Sequence, residues 1–351
     1  MKNANTPTKI IIDCDPGNGI IGSDIDDGIA LALTLCSPEK FDLRAITIVA
    51  GNTPLHIGYS VAKDFTRRFC PSVPVYAGAA QPIREEPGPW QQRFMSRQND
   101  PALIAAWSQV ETPEQREIDP QEPDAVSILI ETVAKHPGEV TVAALGPLTN
   151  IAAAIQRRPE FVQEVGCIAI MGGHFAVPNV LQEFNFANDP EAAQLVLSSG
   201  APVLLVPLDA TIQTLLTDEE LDKWSEISTA LTDYLVSTSR PWLPISSAQY
   251  NISGCLLHDP LVIALLLDRS VGKTASMMVD VSLHGLTRSR VVGWAPEHHG
   301  LHVGVALPTH QPIEVVVAVD ANKLLQVMFN AFSHWSSISG LAIPSERPST
   351  L

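Results

Sequence analysis

The sequence predicts an α/β protein with an open, mainly parallel sheet flanked by helices and a β-rich extension towards its C-terminal end. Three observations carry that prediction. Apolar, β-branched runs of strand length alternate with helix-period segments from Lys9 to Val206, joined by short connections as in βαβ units. Those runs are apolar throughout instead of alternating, which marks strands covered on both faces. Beyond Met277 the pattern changes to several short strands separated by turns.

In chain order, residues 9–13 read as the first strand, 27–35 as a helix, 43–50 as the second strand, 54–69 as a helix and 73–76 as a short strand. From 80 to 123 the periodicity fails, because Pro82, Pro87, Pro89, Pro101, Pro113, Pro120 and Pro123 interrupt it. A loop this long in a compact fold is usually functional, so the segment reads as a lid or an oligomer contact. Periodicity then resumes with a helix at 124–135, a strand at 140–145, a helix at 148–157, a strand at 166–171, a helix at 189–198 and a strand at 203–206. Residues 218–239 read as one or two helices and 258–267 as another; 277–319 hold three or four strands, and 323–334 close the chain as an amphipathic helix. Internal repeats, charge runs and linkers are all lacking, so a single domain over 1–351, with its core at about 9–337, is the simplest organisation.

Composition narrows the functional classes. A chain of 351 residues with 45% hydrophobic content can bury a sizeable core. Its formal charge of −16, from 38 acidic and 22 basic residues, repels nucleic acid and anionic membrane alike. With neither a twenty-residue apolar span nor an apolar leader in its first residues, the protein is expected to be cytoplasmic. Five scattered cysteines without metal-ligand spacing read as reduced thiols.

Chemistry concentrates at the exit of the first strand. Asp13, Asp15, Asp24, Asp26 and Asp27 crowd into one turn and the start of the next helix. Open α/β sheets bind ligands at the carboxyl ends of their strands, and carboxylates packed this closely repel one another unless a hard cation or sugar hydroxyls intervene. Taken alone, Asp26 and Asp27 are equally at home as helix-start residues facing the macrodipole. Oxygen-only donors favour calcium or magnesium over zinc.

This arrangement resembles the nucleoside hydrolase family, the inosine-uridine-preferring nucleoside N-ribohydrolases, whose opening signature is an Asp-x-Asp-Pro-Gly turn closely followed by Asp-Asp. Here the halves are Asp13-Cys14-Asp15-Pro16-Gly17 and Asp26-Asp27, separated by an insertion of roughly residues 18–24 that must loop out and that lies over the ribose pocket if both halves are to meet. Further segments agree in order: Ala50-Gly51-Asn52, Leu145-Gly146-Pro147-Leu148-Thr149-Asn150, Met171-Gly172-Gly173, Glu183-Phe184-Asn185 with Asp189-Pro190-Glu191-Ala192, and His258-Asp259-Pro260.

The resemblance implies cleavage of ribonucleosides to ribose and free base around a tightly held Ca2+, by a homodimer or homotetramer. Asp15, Asp27, Asp259 and the main-chain carbonyl of Leu145 match the family's calcium ligands. Asp15 also matches the general base for the attacking water, a role that suits a carboxylate beside a divalent ion. Asp13 stands behind it as an orienting group. Asp26, Asn52, Met171, Asn179, Glu183 and Asn185 match the positions that line the ribose, where positive charge develops in the transition state. His258 matches the group facing the departing base. On its own, Asp259 before Pro260 would pass for a helix N-cap and His258 for a packing residue.

One departure concerns the base side. Tyr76-Ala77-Gly78-Ala79 is followed by a proline-rich stretch where many members carry His-Gly. Trp90, Trp242, Tyr250 and Phe175 are candidate stacking partners for a nucleobase, whereas His298-His299 lacks spaced partners and reads as a polar turn. Two rival functions are a haloacid dehalogenase-type phosphohydrolase, which Asp13-Cys14-Asp15 evokes but which lacks its downstream lysine, and a non-catalytic nucleoside or ribose sensor with the same fold.

Overall fold

The computed structural model describes residues 6–84, 89–297 and 310–338. In the first half β1 (Thr8–Cys14), α1 (Asp26–Leu35), β2 (Phe41–Ile48), α2 (Leu55–Phe69) and β3 (Val75–Ala77) follow the expected alternation. Then come α3 (Pro89–Gln98), α4 (Pro101–Ala106), α5 (Ala125–Lys135), β4 (Val140–Ala144), α6 (Thr149–Arg157), α7 (Phe161–Glu164), β5 (Cys167–Met171), α8 (Phe184–Asn188), α9 (Pro190–Leu197), β6 (Val203–Val206) and α10 (Leu208–Thr211). The remainder comprises α11 (Asp218–Ile227), α12 (Ala230–Ser239), α13 (Leu243–Tyr250), α14 (His258–Leu267), β7 (Gly272–Val281), β8 (Val291–Trp294), β9 (Ile313–Val319) and α15 (Ala321–Ile338).

Among the described residues nine strands form the sheet, in the order β3-β2-β1-β4-β5-β6-β9-β7-β8. Pairing is parallel from β3 through β9, and β7 runs antiparallel to both β9 and β8. From β1 the chain builds outward to β3, then returns to place β4 on the other flank of β1. That reversal opens a crevice at the carboxyl ends of β1 and β4, the place where such sheets bind ligands.

Side-chain alternation along β1 divides the core between the two faces of the sheet. Ile10 and Ile12 pack with α1, α2 and α14 on one side; Ile11 joins Val140, Val142, Ile168 and Ile170 with α5, α6 and α9 on the other. Helix α14 is apolar all round, and Asp259 to Leu265 are buried without a break, so it runs through the interior and carries Asp259 to the crevice.

Three regions depart from the sequence reading. Residues 80–123 are not one continuous loop, because α3 and α4 begin at Pro89 and Pro101. Proline is at home in the first turn of a helix, where its missing N–H costs nothing, so residues read as breakers are starters here. Asp100 caps α4 by accepting from the Ala102 N–H at 2.8 Å. Residues 240–257, left unassigned, include α13. The C-terminal strands begin already at Gly272, and β9 pairs with β6, so the β-rich part extends the main sheet.

Residues 218–239 form two helices. Thr217 caps α11, Ser228 ends it in the left-handed region at φ 55°, and a Thr229–Thr232 capping box starts α12. All five cysteines are free, and four are buried. Among the described residues no helix is long and apolar enough to cross a membrane.

Candidate active site

Asp13, next to last in β1, is fully buried. Its Oδ1 accepts from Thr47 Oγ1 at 2.6 Å and Asn150 Nδ2 at 2.8 Å. Asn150 also donates to the Ile48 carbonyl and accepts from the Ala79 N–H, so one amide at the start of α6 ties together the ends of β1, β2 and β3. The other oxygen of Asp13 has no partner. Burial, only partly offset by those two hydrogen bonds, pushes its pKa to about 7.

Two residues on, Asp15 is fixed from both sides. Its main-chain N–H donates to Asp27 Oδ1 at 3.2 Å, and its Oδ2 accepts from the Asn52 N–H at 2.6 Å. Oδ1 is buried and unpartnered. Burial and the neighbouring Asp27 hold this carboxyl well above the usual carboxylate range. Gly51 makes the arrangement possible, since a Cβ there would lie 1.8 Å from Asp15 Oδ2 and 2.8 Å from the Pro147 ring. We expect Gly51→Ala to displace Asp15 and lower kcat at least tenfold with little loss of thermal stability; unchanged steady-state kinetics would contradict this placement.

The start of α1 supplies Asp26 and Asp27, both buried. The Asp259 N–H donates to Asp26 Oδ2 at 3.2 Å, and Asn52 Nδ2 lies 3.5 Å from Asp27 Oδ2. Carboxylate oxygens of Asp26, Asp27 and Asp259 lie within 4.8 Å of one another. Burial is the main cause that raises all three, and each other's charge adds to it for Asp26 and Asp259. The side chain of Asp259 caps nothing: α14 begins at His258, and no side chain caps it.

Residues 18–24 do not loop freely. Asn18 is fully buried; it accepts from the Gly28 N–H at 3.1 Å and donates to the Ile25 carbonyl at 3.1 Å and to Thr238 Oγ1 at 3.3 Å, locking the first turn of α1 against α12. Gly22 and Ile21 carbonyls are held by Arg97 and Gln98 of α3. Gly22, Ser23 and Asp24 thereby form one wall of a cavity of about 530 Å³.

Asp26, Asn52, Leu145, Met171, Asn179, Glu183, Asn185, His258 and Asp259 line the same cavity. Asn185 Nδ2 donates to the carbonyls of Leu145 at 2.6 Å and Met171 at 3.1 Å. Both oxygens of Glu183 are occupied: they accept from the Gly173, Asn185 and Phe186 N–H groups, which makes Glu183 the N-cap of α8. Asn179 adopts φ 63°, a conformation that asparagine tolerates better than most residues.

His258 Nδ1 lies 2.8 Å from Thr211 Oγ1, and its ring meets Tyr250 edge-on at 6.4 Å. Burial lowers its pKa, against the pull of Asp24, and so favours the neutral ring. Trp242 and Tyr250 line the cavity; Phe175 does not. The Trp90 side chain and His298-His299 lie outside the described residues.

Sequence reading attached no role to Asn18, Asn150, Arg93 or Arg97. Asn150 was within reach, as the last residue of the Leu145–Asn150 segment. The arginines, four apart in a stretch read as a loop, offered a helical spacing that the surrounding prolines obscured.

Three buried carboxylates converging within 4.8 Å, next to Asp15 with its unpartnered Oδ1, all raised by burial and several by mutual repulsion, fit a hard divalent cation, which would offset both costs. The family model for inosine-uridine preferring nucleoside hydrolases matches residues 10–326. The chain belongs to that family. This hydrolase is 30% identical over 308 residues to the pyrimidine-specific ribonucleoside hydrolase RihB of Escherichia coli, covering 86% of this chain and 93% of that one. It is 34% identical over 281 residues to the pyrimidine-specific ribonucleoside hydrolase RihA of Salmonella enteritidis, covering 79% and 85%. Among solved structures, the purine-preferring ribonucleoside hydrolase from Gardnerella vaginalis superposes with a TM-score of 0.78 at 28% identity, covering 94% of this chain and 99% of that one. A plant nucleoside hydrolase gives a TM-score of 0.77 at 27% identity, with 93% and 99% covered.

Proposed function

We propose that this hydrolase cleaves the N-glycosidic bond of ribonucleosides, yielding ribose and free nucleobase, with calcium as its divalent ion and Asp15 as general base. The observation that carries the reading is the buried Oδ1 of Asp15, without a hydrogen-bond partner among the described residues, next to three converging buried carboxylates of which Asp26 and Asp259 line the cavity. Asp15, Asp27, Asp259 and the Leu145 carbonyl would hold the ion, which supplies positive charge that acidifies and aligns a water.

Asp15 accepts the water's proton as the oxygen bonds to the anomeric carbon; the C–N bond breaks and its electron pair leaves with the base. Asp13, pinned by Thr47 and Asn150, keeps Asp15 backed by a rigid strand end. Asp26, Asn52, Asn179, Asn185, Glu183 and the Met171 main chain face the ribose, where the acidic wall stabilises the growing oxocarbenium charge. Since burial favours its neutral ring, His258 serves the departing base as a hydrogen-bond partner through Nε2, the ring atom Thr211 leaves unengaged. The reading extends to a cytoplasmic homodimer or homotetramer.

Release of reducing sugar from inosine and uridine, with and without chelator, tests the proposal. Ribose should appear with calcium and disappear on chelation. A protein that binds nucleoside without releasing ribose would be a sensor, and release of phosphate from phosphorylated compounds alone would mark a phosphohydrolase; either defeats the reading.

A further inference from the structure

The cavity wall also carries two cations that form no ion pair among the described residues. Arg93 and Arg97 lie one turn apart on α3, and both line the cavity. Each donates to the same acceptor, Gln249 Oε1, at 2.7 Å and 3.3 Å. Arg97 donates in addition to the Gly22 carbonyl at 2.8 Å and stacks over Trp242, with its guanidinium carbon 5.4 Å from the ring centroid. Neither forms an ion pair among the described residues. A guanidinium has five N–H donors, so two of them sharing one amide oxygen leave most of their donors unspent.

Burial and the charge of Arg93 both lower the pKa of Arg97, a sign of cationic crowding. Asp24, in the wall formed by residues 18–24, is a carboxylate whose charge acts on Arg97, without an ion pair between them among the described residues. In a protein of net charge −16, a positive pair inside the cavity with no ion-pair partner among the described residues is unlike its surroundings. Planar forks of this kind match carboxylates and other oxyanions bidentately.

Their position fixes which part of a substrate they meet. Arg97 stacks over Trp242 and feels the charge of Tyr250, whose ring meets His258, whereas Asp26, Asn52 and Asn185 bond to Asp259, Asp27 and the Leu145 carbonyl at the carboxylate end. Resting on the hydrolase reading above, we propose that Arg93 and Arg97 form an anion subsite for the nucleobase, so that preferred nucleosides carry negative charge on the base. A base bearing a ring carboxylate, or a 6-oxopurine ionised at neutral pH, has that chemistry. The same pair would stabilise the electron density the base gains as it departs.

The test compares kcat/KM for orotidine with uridine, xanthosine with inosine, and the 5′-monophosphates of uridine and inosine, using the calcium-loaded enzyme. Orotidine should exceed uridine, and xanthosine inosine, by about tenfold to a hundredfold, as charge-assisted hydrogen bonds allow. In Arg93→Met and Arg97→Met those ratios should fall towards one. Among the described residues Arg93 makes no hydrogen bond besides that to Gln249, so its variant keeps the test open where loss of the Gly22 contact unfolds the other. Orotidine no better than uridine, or an Arg93→Met variant that slows both equally, would overturn the subsite alone. A preference for the 5′-monophosphates would overturn it too, by moving the anion to the sugar. Failure of every nucleoside to release ribose would instead overturn the hydrolase reading.

Discussion

Asparagine in place of Asp15 is expected to lower kcat by about 10²- to 10⁴-fold, the range for loss of a positioned general base, while leaving the metal-free fold at least as stable as before. The two outcomes share one cause. In the folded protein the Asp15 carboxylate is buried beside Asp27 and within the field of Asp26 and Asp13. Asparagine can still accept the Asn52 N–H through its oxygen, but its amide nitrogen then occupies the position of the free Oδ1 and cannot take a proton from water. The same change removes one buried carboxylate from a cluster of like charges, relieving its repulsion with Asp27, Asp26 and Asp13. Thermal melts in chelator at pH 8 and steady-state kinetics with calcium would check both. A large drop in melting temperature beside the lost activity would recast Asp15 as a structural anchor.

Much of this site was visible before any coordinates, for a physical reason. Asp13, Asp15, Asp26 and Asp27 lie close in the chain, at a strand end and a helix start, and an open α/β sheet places such residues at its ligand crevice. The strand runs were equally legible, since β4, β5 and β6 are buried nearly throughout and need unbroken apolar sequence. Asp259 was not legible in this way. It meets Asp26 across 233 residues of sequence, and only resemblance to a family pointed to it. Helices α3 and α4 were missed because proline reads as a breaker until its position within the helix is known. Arg93 and Arg97 went with them: their meaning depends on α3 folding back over residues 18–24, a tertiary event that no local period encodes.

Calcium should stabilise the protein far more above pH 7 than at pH 5, and its removal should abolish ribose release. Asp13, Asp24, Asp26 and Asp27 are each pushed from 3.8 to about 7 in the folded chain. Between those limits the folded metal-free protein binds more protons than the unfolded chain, so their contribution to its stability is full below about pH 4, falls as pH rises, and is lost above about 7. A divalent cation binds the ionised carboxylates, so it must displace more protons at pH 5 than at pH 8. At a hundred times its dissociation constant, a ligand specific for the folded state adds about 2.7 kcal/mol, several degrees of melting temperature for a domain of this size. The quantity to measure is the melting-temperature increment between calcium and chelator at each pH, which cancels titrations remote from the site. An increment that rises from pH 5 to 8, with activity restored by re-adding calcium, fits a cation held by Asp15, Asp27 and Asp259. One that is flat, or largest in acid, would mean that the raised carboxyls are not where the ion binds.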